Sequence, residues 1–170
     1  MKLFKFKKNK SYHSDSSVDA LRILNDTSPF AVKEAYRSLY SNVLYLPIES
    51  ACKKIAVTSA YPGEGKTSIS INLAYSIAEN SPESRVLIID SDMRSPRVAE
   101  LIGKENHGVH GLSEFLAGID PVPNFQDSVH PNLAFLSSGA TNANTPGLLS
   151  GSRMDVLLSV INEKFDYVIF

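Results

Sequence analysis

The sequence contains no tryptophan, a single cysteine and only four histidines. One cysteine, Cys52, excludes an internal disulfide and suits a reducing compartment. The histidines (13, 107, 110 and 130) keep no company of cysteines at metal-ligand spacing, so a zinc site of the usual kind is not indicated. No apolar run approaches the roughly 20 residues that cross a bilayer as a helix. The first residues do not read as a secretory signal either, because lysines interleave with Leu3, Phe4 and Phe6 and no apolar segment follows. There is no internal repeat and no low-complexity tract. With 43% hydrophobic and 21% charged residues among 170, the chain reads as one globular, cytoplasmic domain.

Charge is nearly balanced at −1 but unevenly placed. Residues 1–10, "MKLFKFKKNK", carry five lysines and no acid, which leaves the other 160 at −6. Together with the polar stretch that follows, this suggests a basic, flexible arm over residues 1–25 and a folded domain over 26–170. Nothing in the remainder suggests nucleic acid as a partner.

Apolar periodicity outlines the domain. "SPFAVKEAYRSLYSNVLYL" (28–46) predicts a helix capped by Ser28, opened by Pro29 and stopped by Pro47, with Val32, Tyr36, Leu39, Val43 and Leu46 on its apolar face. "KIAVTSA" (54–60) predicts a strand. A helix over 66–80 with apolar positions 69, 73, 74 and 77 follows, then a strand over 85–90 whose unbroken apolar run fits burial on both faces. Short helices are expected near 96–102 and 112–117, a strand at 133–138, a helix over 147–163 and a strand from 166 to 170. The fold class is α/β, with a mainly parallel sheet flanked by helices.

Two segments carry chemistry. "SAYPGEGKTS" (59–68) nearly fits the phosphate-loop pattern, with Ala60 where the first glycine is usual. A strand before it and a helix after it would present Pro62, Gly63, Glu64, Gly65, Lys66, Thr67 and Ser68 to an anion at a helix N-terminus. Lys66 is expected on the β- and γ-phosphates of a nucleotide and the Thr67 hydroxyl on Mg²⁺. The second is "VLIIDSDMRSP" (86–96). Asp90 and Asp92 leave the carboxyl end of a buried strand, where ligands bind in open α/β sheets. One would serve the metal and the other accept a proton, and Arg94 is a candidate for contacts to phosphate or acceptor.

With "GLSEFLAG" (111–118), "LLSGSRMDVLL" (148–158) and "FDYVI" (165–169), these segments resemble the bacterial tyrosine kinases, in particular the cytoplasmic kinases of capsular and exopolysaccharide synthesis in Gram-positive bacteria. The resemblance covers roughly residues 25–170. It implies a phosphate-loop NTPase-like fold, ATP and Mg²⁺ as cofactors, transfer to protein tyrosine with autophosphorylation, a homo-oligomer, and a membrane-embedded activator that would bring the chain to the inner face of the membrane. With the resemblance, Asp90 is the expected base and Asp92 the expected metal group. It also implies that Glu34 and Arg37, the first two positions of an E-x-x-R-x-x-R segment, contact a neighbouring subunit; Tyr40 stands in the third. The aspartate expected at the end of the last strand would follow Phe170, and no tyrosine cluster follows, so the sequence reads as a piece of a longer chain. Two other readings remain at this point. One is a partition- or division-site ATPase, whose signature lysine would stand at Tyr61. The other is a nucleotide-binding module without catalysis.

Overall fold

A computed structural model describes residues 23–104, 110–128, 130–140 and 144–170. The basic arm up to residue 22 and His107 therefore lie outside the described residues. The packed body already includes Leu24, whose N–H donates to Asn72 Oδ1 at 2.8 Å.

Helix α1 (Phe30–Leu44) begins after Pro29, with no side-chain cap. Ser28 is not the expected cap, because its Oγ accepts the Asn25 N–H and closes a local turn. The helix ends before Leu46, the residue that Pro47 disfavours in helical geometry. Its packed face also differs from the expected one. Tyr40 and Val43 are buried and Tyr36 and Leu39 half-buried, while Val32 and Leu46 are exposed. The Tyr40 hydroxyl shares a 2.5 Å hydrogen bond with Ser81 Oγ at the end of the next helix.

Strand β1 (Lys53–Ile55) is shorter than the expected 54–60. Beyond Ile55, the Val57 N–H still reaches Phe170 O, and the chain then departs into the loop. Helix α2 (Lys66–Asn80) matches its expected span; Leu73, Ala74 and Ile77 are buried, joined by Ile71, while Ile69 is exposed. Strand β2 (Val86–Ile89) is buried throughout. Short helices α3 (Val98–Leu101) and α4 (Leu112–Leu116) follow. A two-residue strand β3 (Gln126–Asp127) was not expected; it is too short to show an alternating pattern, and the neighbouring prolines read as loop. Then come β4 (Leu133–Leu136), α5 (Thr145–Leu149), α6 (Ser152–Lys164) and β5 (Tyr167–Ile169). The single helix expected over 147–163 is thus two, broken at Gly151, whose extended backbone (φ −79°, ψ 158°) starts the second.

The strands form one sheet in the order β1-β5-β2-β4-β3. Only the β3–β4 pair is antiparallel, so the sheet is mainly parallel, as expected. Side chains alternate between its faces. Val86, Ile88, Leu133, Phe135, Tyr167 and Ile169 pack against α1, α2 and α3. Leu87, Ile89, Ala134, Leu136 and Val168 pack against α4 and α6, together with Cys52, which is buried. Glu114, on α4, closes the carboxyl end of β4. Its Oε2 accepts the Gly111 N–H at 2.8 Å and its Oε1 the Ala140 N–H at 2.9 Å. Gly139 at φ 78° leaves room for that carboxylate, since a Cβ there would fall on Glu114 Oε2.

Ile169 is fully buried in β5, an inner strand of the sheet. Ile169→Ala is expected to cost about 2–5 kcal/mol in urea unfolding. Val156→Ala, on the exposed side of α6, should stay within about 0.5 kcal/mol.

Candidate functional site

The loop between β1 and α2 is built on two left-handed glycines, Gly63 (φ 81°) and Gly65 (φ 88°). L-residues with a side chain rarely adopt this backbone, which is why these positions are glycine. Gly65 precedes Lys66 directly, and no side chain caps the first turn of α2. The uncapped N–H groups and the helix dipole make that end attractive to an anion. The loop is otherwise self-bonded. Glu64 Oε2 accepts the Tyr61 N–H at 3.1 Å, Ser59 Oγ donates to Tyr61 O at 2.8 Å, and Lys66 Nζ donates to Ser59 Oγ at 3.0 Å. Ala60 in place of glycine thus leaves the glycine-dependent part of the turn intact.

Opposite the loop stands the carboxyl end of β2. Asp90 is buried, and both oxygens of its carboxylate accept backbone N–H groups. Oδ1 accepts the Asp92 N–H at 3.2 Å, and Oδ2 accepts those of Arg97 (3.0 Å) and Val98 (2.9 Å), which fixes the start of α3. Burial pushes its pKa above the ordinary 3.8 and outweighs the three N–H donors that pull it down. Asp92 is exposed. Its Oδ1 accepts the N–H groups of Arg94 (3.2 Å) and Ser95 (3.0 Å), which turns the chain; no protein hydrogen bond is made to Oδ2 among the described residues. Ser91, between the two, has its hydroxyl buried without a protein partner.

Lys66, Thr67 and Ser70 from α2, Thr58 from the loop, Ser91 with Asp90 and Asp92, and Phe170 after β5 line one cleft of about 300 Å³. The structure therefore brings Lys66, Thr67, Asp90 and Asp92 together, as the two motifs imply. It does not bring Arg94 into that wall; the residue is exposed. Glu34 and Arg37 lie exposed on α1, away from the cleft lining. The Ser59–Lys66 contact and the Asp90 bonds to Arg97 and Val98 were not foreseen. A serine before the loop is a weak signal, and backbone donors leave none in a sequence. A second recess, of about 240 Å³, opens at the amino ends of β1 and β5 among Ser50, Lys53, Glu83 and Asp166. Among the described residues, no group of three His, Cys, Asp or Glu gathers around a metal position.

A glycine-turned loop feeding Lys-Thr into a helix, facing paired aspartates at the end of the next strand, defines a phosphate-loop domain of the NTPase type. Comparison with known proteins narrows this. No family model matches the chain. Over 138 residues (81% of this chain) it is 33% identical to the tyrosine-protein kinase CpsD of Streptococcus pneumoniae serotype 4 (strain ATCC BAA-334 / TIGR4), of whose length it spans 59%. Its fold matches the kinase domain of Escherichia coli tyrosine kinase ETK with a TM-score of 0.73 at 31% identity, over 86% of this chain and 59% of that one. The Pyrococcus furiosus cell division ATPase MinD matches with a TM-score of 0.55 at 23% identity, over 69% of this chain and 48% of that one, a likeness of fold alone. The chain is thus similar to bacterial tyrosine kinases over most of its own length, and it spans about 59% of the length of the relatives named here.

The two buried carboxylates should respond to pH with opposite sign. Asp90 binds its proton more tightly folded than unfolded, so its contribution favours the fold below the ordinary 3.8 and declines as pH rises through its raised value. Burial would also raise Glu114, but the N–H donors of Gly111 and Ala140 prevail and hold it below the ordinary 4.5. Its contribution is present above 4.5 and is lost as pH falls through the lowered value. In urea unfolding against pH, Asp90→Asn should remove the decline. Glu114→Gln should cost about 1–3 kcal/mol near neutrality and progressively less in acid.

Proposed function

We propose that this chain is the nucleotide-binding part of a protein tyrosine kinase that transfers the γ-phosphoryl group of ATP to protein tyrosine, its own included, in capsular or exopolysaccharide synthesis. The observation that carries this is the single cleft into which the loop places Lys66 and Thr67 and β2 places Asp90 and Asp92. The similarity to proteins named tyrosine kinases supplies the acceptor class.

In this reading, the glycine loop and the uncapped start of α2 hold the nucleotide phosphates. Lys66 exchanges its Ser59 hydrogen bond for the β- and γ-phosphates, a short movement because Ser59 and Lys66 flank the same turn. The residues fit Mg²⁺, a hard cation that takes one or two carboxylates and keeps its remaining positions for phosphate and water. Thr67 and Asp92 offer a hydroxyl and an exposed carboxylate in the same wall and would hold it. Bound there, it would neutralise charge on the phosphates. The acceptor phenol attacks the γ-phosphorus, the bond to the β,γ-bridging oxygen breaks, and ADP leaves. Asp92 carries the open carboxylate oxygen of the site, for the cation or for the phenolic proton. Asp90, expected as the base, is assigned instead to hold the turn, since both its oxygens already accept backbone N–H groups. Arg94, which is exposed, is kept as a candidate for contacts to the acceptor.

The finer parts of the proposal are an activator embedded in the membrane, a location at the inner membrane face through it, and association of copies through Glu34 and Arg37. The exposure of both side chains on α1 supports the last. Tyr40, in the third position of that segment, is turned inward onto Ser81 and is spent on holding α1 to α2. No helix among the described residues is long and apolar enough to cross a membrane. Against the division-ATPase reading stands Tyr61, where the signature lysine of those proteins would be.

Lys66→Met in a full-length version is expected to reduce phosphotyrosine formation from ATP about 100-fold or more. Unchanged labelling in that variant would sink the proposal. Nucleotide binding by the wild type with no phosphate transfer would favour the non-catalytic module.

A further inference from the structure

Tyrosines differ sharply in access to solvent here. Tyr40 and Tyr167 are buried, and Tyr36 and Tyr75 are half-buried. Of the described tyrosines, only Tyr45 (80% exposed) and Tyr61 (70% exposed) present most of their surface. Tyr45 caps the end of α1. Tyr61 lies in the phosphate loop itself, and its main chain is tied to the working lysine: Ser59 Oγ donates to Tyr61 O and accepts from Lys66 Nζ. The exposed phenol thus belongs to the loop whose Lys66 lines the cleft, and its main chain lies two hydrogen bonds from the Lys66 ammonium.

We propose that Tyr61 is a phosphate acceptor and that its phosphorylation closes the nucleotide site of the same chain. This rests on the kinase reading. In the step, the Tyr61 phenolic oxygen forms a bond to the γ-phosphorus of ATP, the bond from phosphorus to the β,γ-bridging oxygen breaks, and ADP departs with that electron pair. The phenolic proton passes to a carboxylate or to water. The product carries about 1.5–2 negative charges at neutral pH. They are added to a turn that already bears the Glu64 carboxylate on the Tyr61 N–H, and that must accept a polyanion to bind nucleotide. At physiological ionic strength, charges closer than about 8 Å are poorly screened. A phosphate on Tyr61 therefore repels the next ATP. It also competes for Lys66, whose ammonium is already linked through Ser59 to the Tyr61 main chain. Activity would thereby limit itself without any movement of helices. Tyr45, exposed but remote in sequence from the loop, offers the same chemistry without this consequence.

The test uses the full-length protein incubated with Mg-ATP, followed by phosphopeptide mapping and by titration with a fluorescent ADP. The expected result is phosphate on the peptide that contains Tyr61, none in Lys66→Met, and ADP affinity at least tenfold weaker in the phosphorylated fraction. Tyr61→Phe should show no such fall after the same incubation. Labelling that leaves Tyr61 free, at Tyr45 for example, overturns the acceptor assignment and leaves the kinase reading in place. Labelled Tyr61 with unchanged ADP affinity overturns the closing effect. A protein that binds ADP yet acquires no phosphotyrosine at all overturns the kinase reading and this inference with it.

Discussion

Everything at the cleft depends on the pairing of β5 with the strands on both sides. The phosphate loop hangs from β1, and the aspartates end β2, but these two strands do not touch. Tyr167–Ile169 lies between them, paired in register with Lys53–Ile55 on one side and Val86–Ile88 on the other. Phe170 extends the link to the first side, donating to Ile55 O and accepting from Val57 N. The distance from Lys66 to Asp92 is thus set by hydrogen bonds to a strand that contributes only Phe170 to the cleft wall. A slip of one residue in β5 would exchange Val168 for its neighbours on the two faces and expose apolar side chains to the wrong layer. Burial of all three residues makes such a slip costly, so the spacing of the site is protected by the core.

The same alternation explains how a strand of three residues can serve. Each strand end delivers its last side chains to one edge of the sheet, and the layers on both faces fix the strand from above and below. On one side α1 and α2 are joined by the Tyr40–Ser81 bond as well as by apolar packing. On the other, Glu114 fastens α4 to the segment that follows β4, and Asp90 N–H reaches Leu136 O to align β2 with it. Both buried carboxylates therefore work on main-chain donors. Neither depends on a cation, and each holds a turn at the carboxyl edge where ligands would enter.

How much of this was legible in the sequence follows from what each signal measures. Unbroken apolar runs exposed β2 and β4, and three- and four-residue spacing exposed α2, because burial acts on many residues at once. The turn chemistry of Gly63 and Gly65 and the Lys66-Thr67 pair was legible because few residue types tolerate those positions. The ends were less so. Ser28 looked like a cap until its hydroxyl was seen to serve Asn25, and Gly151 divided what periodicity alone reads as one helix. The expected face of α1 ran too far at both ends, to the exposed Val32 and Leu46, and left out Tyr40, which periodicity alone did not place on it. The position of β5 between β1 and β2 was illegible for a deeper reason: pattern reports that a strand is buried, not which strands flank it.

The two aspartates show where a motif stops being informative. A D-x-D pair at a strand end reads as two equivalent carboxylates facing a ligand, and spacing gives no ground to rank them. What separates them is backbone geometry seven and eight residues downstream, where Arg97 and Val98 turn into α3 and offer their N–H groups to Asp90. A carboxylate that satisfies three donors in a buried place cannot leave them without stranding all three, at about 1–3 kcal/mol each. Asp92 meets its turn with one oxygen and keeps the other toward solvent. The pair is thus a support and the group it supports. Asp90 Oδ1 accepts the Asp92 N–H, so the buried carboxylate ties down the residue that carries the exposed one.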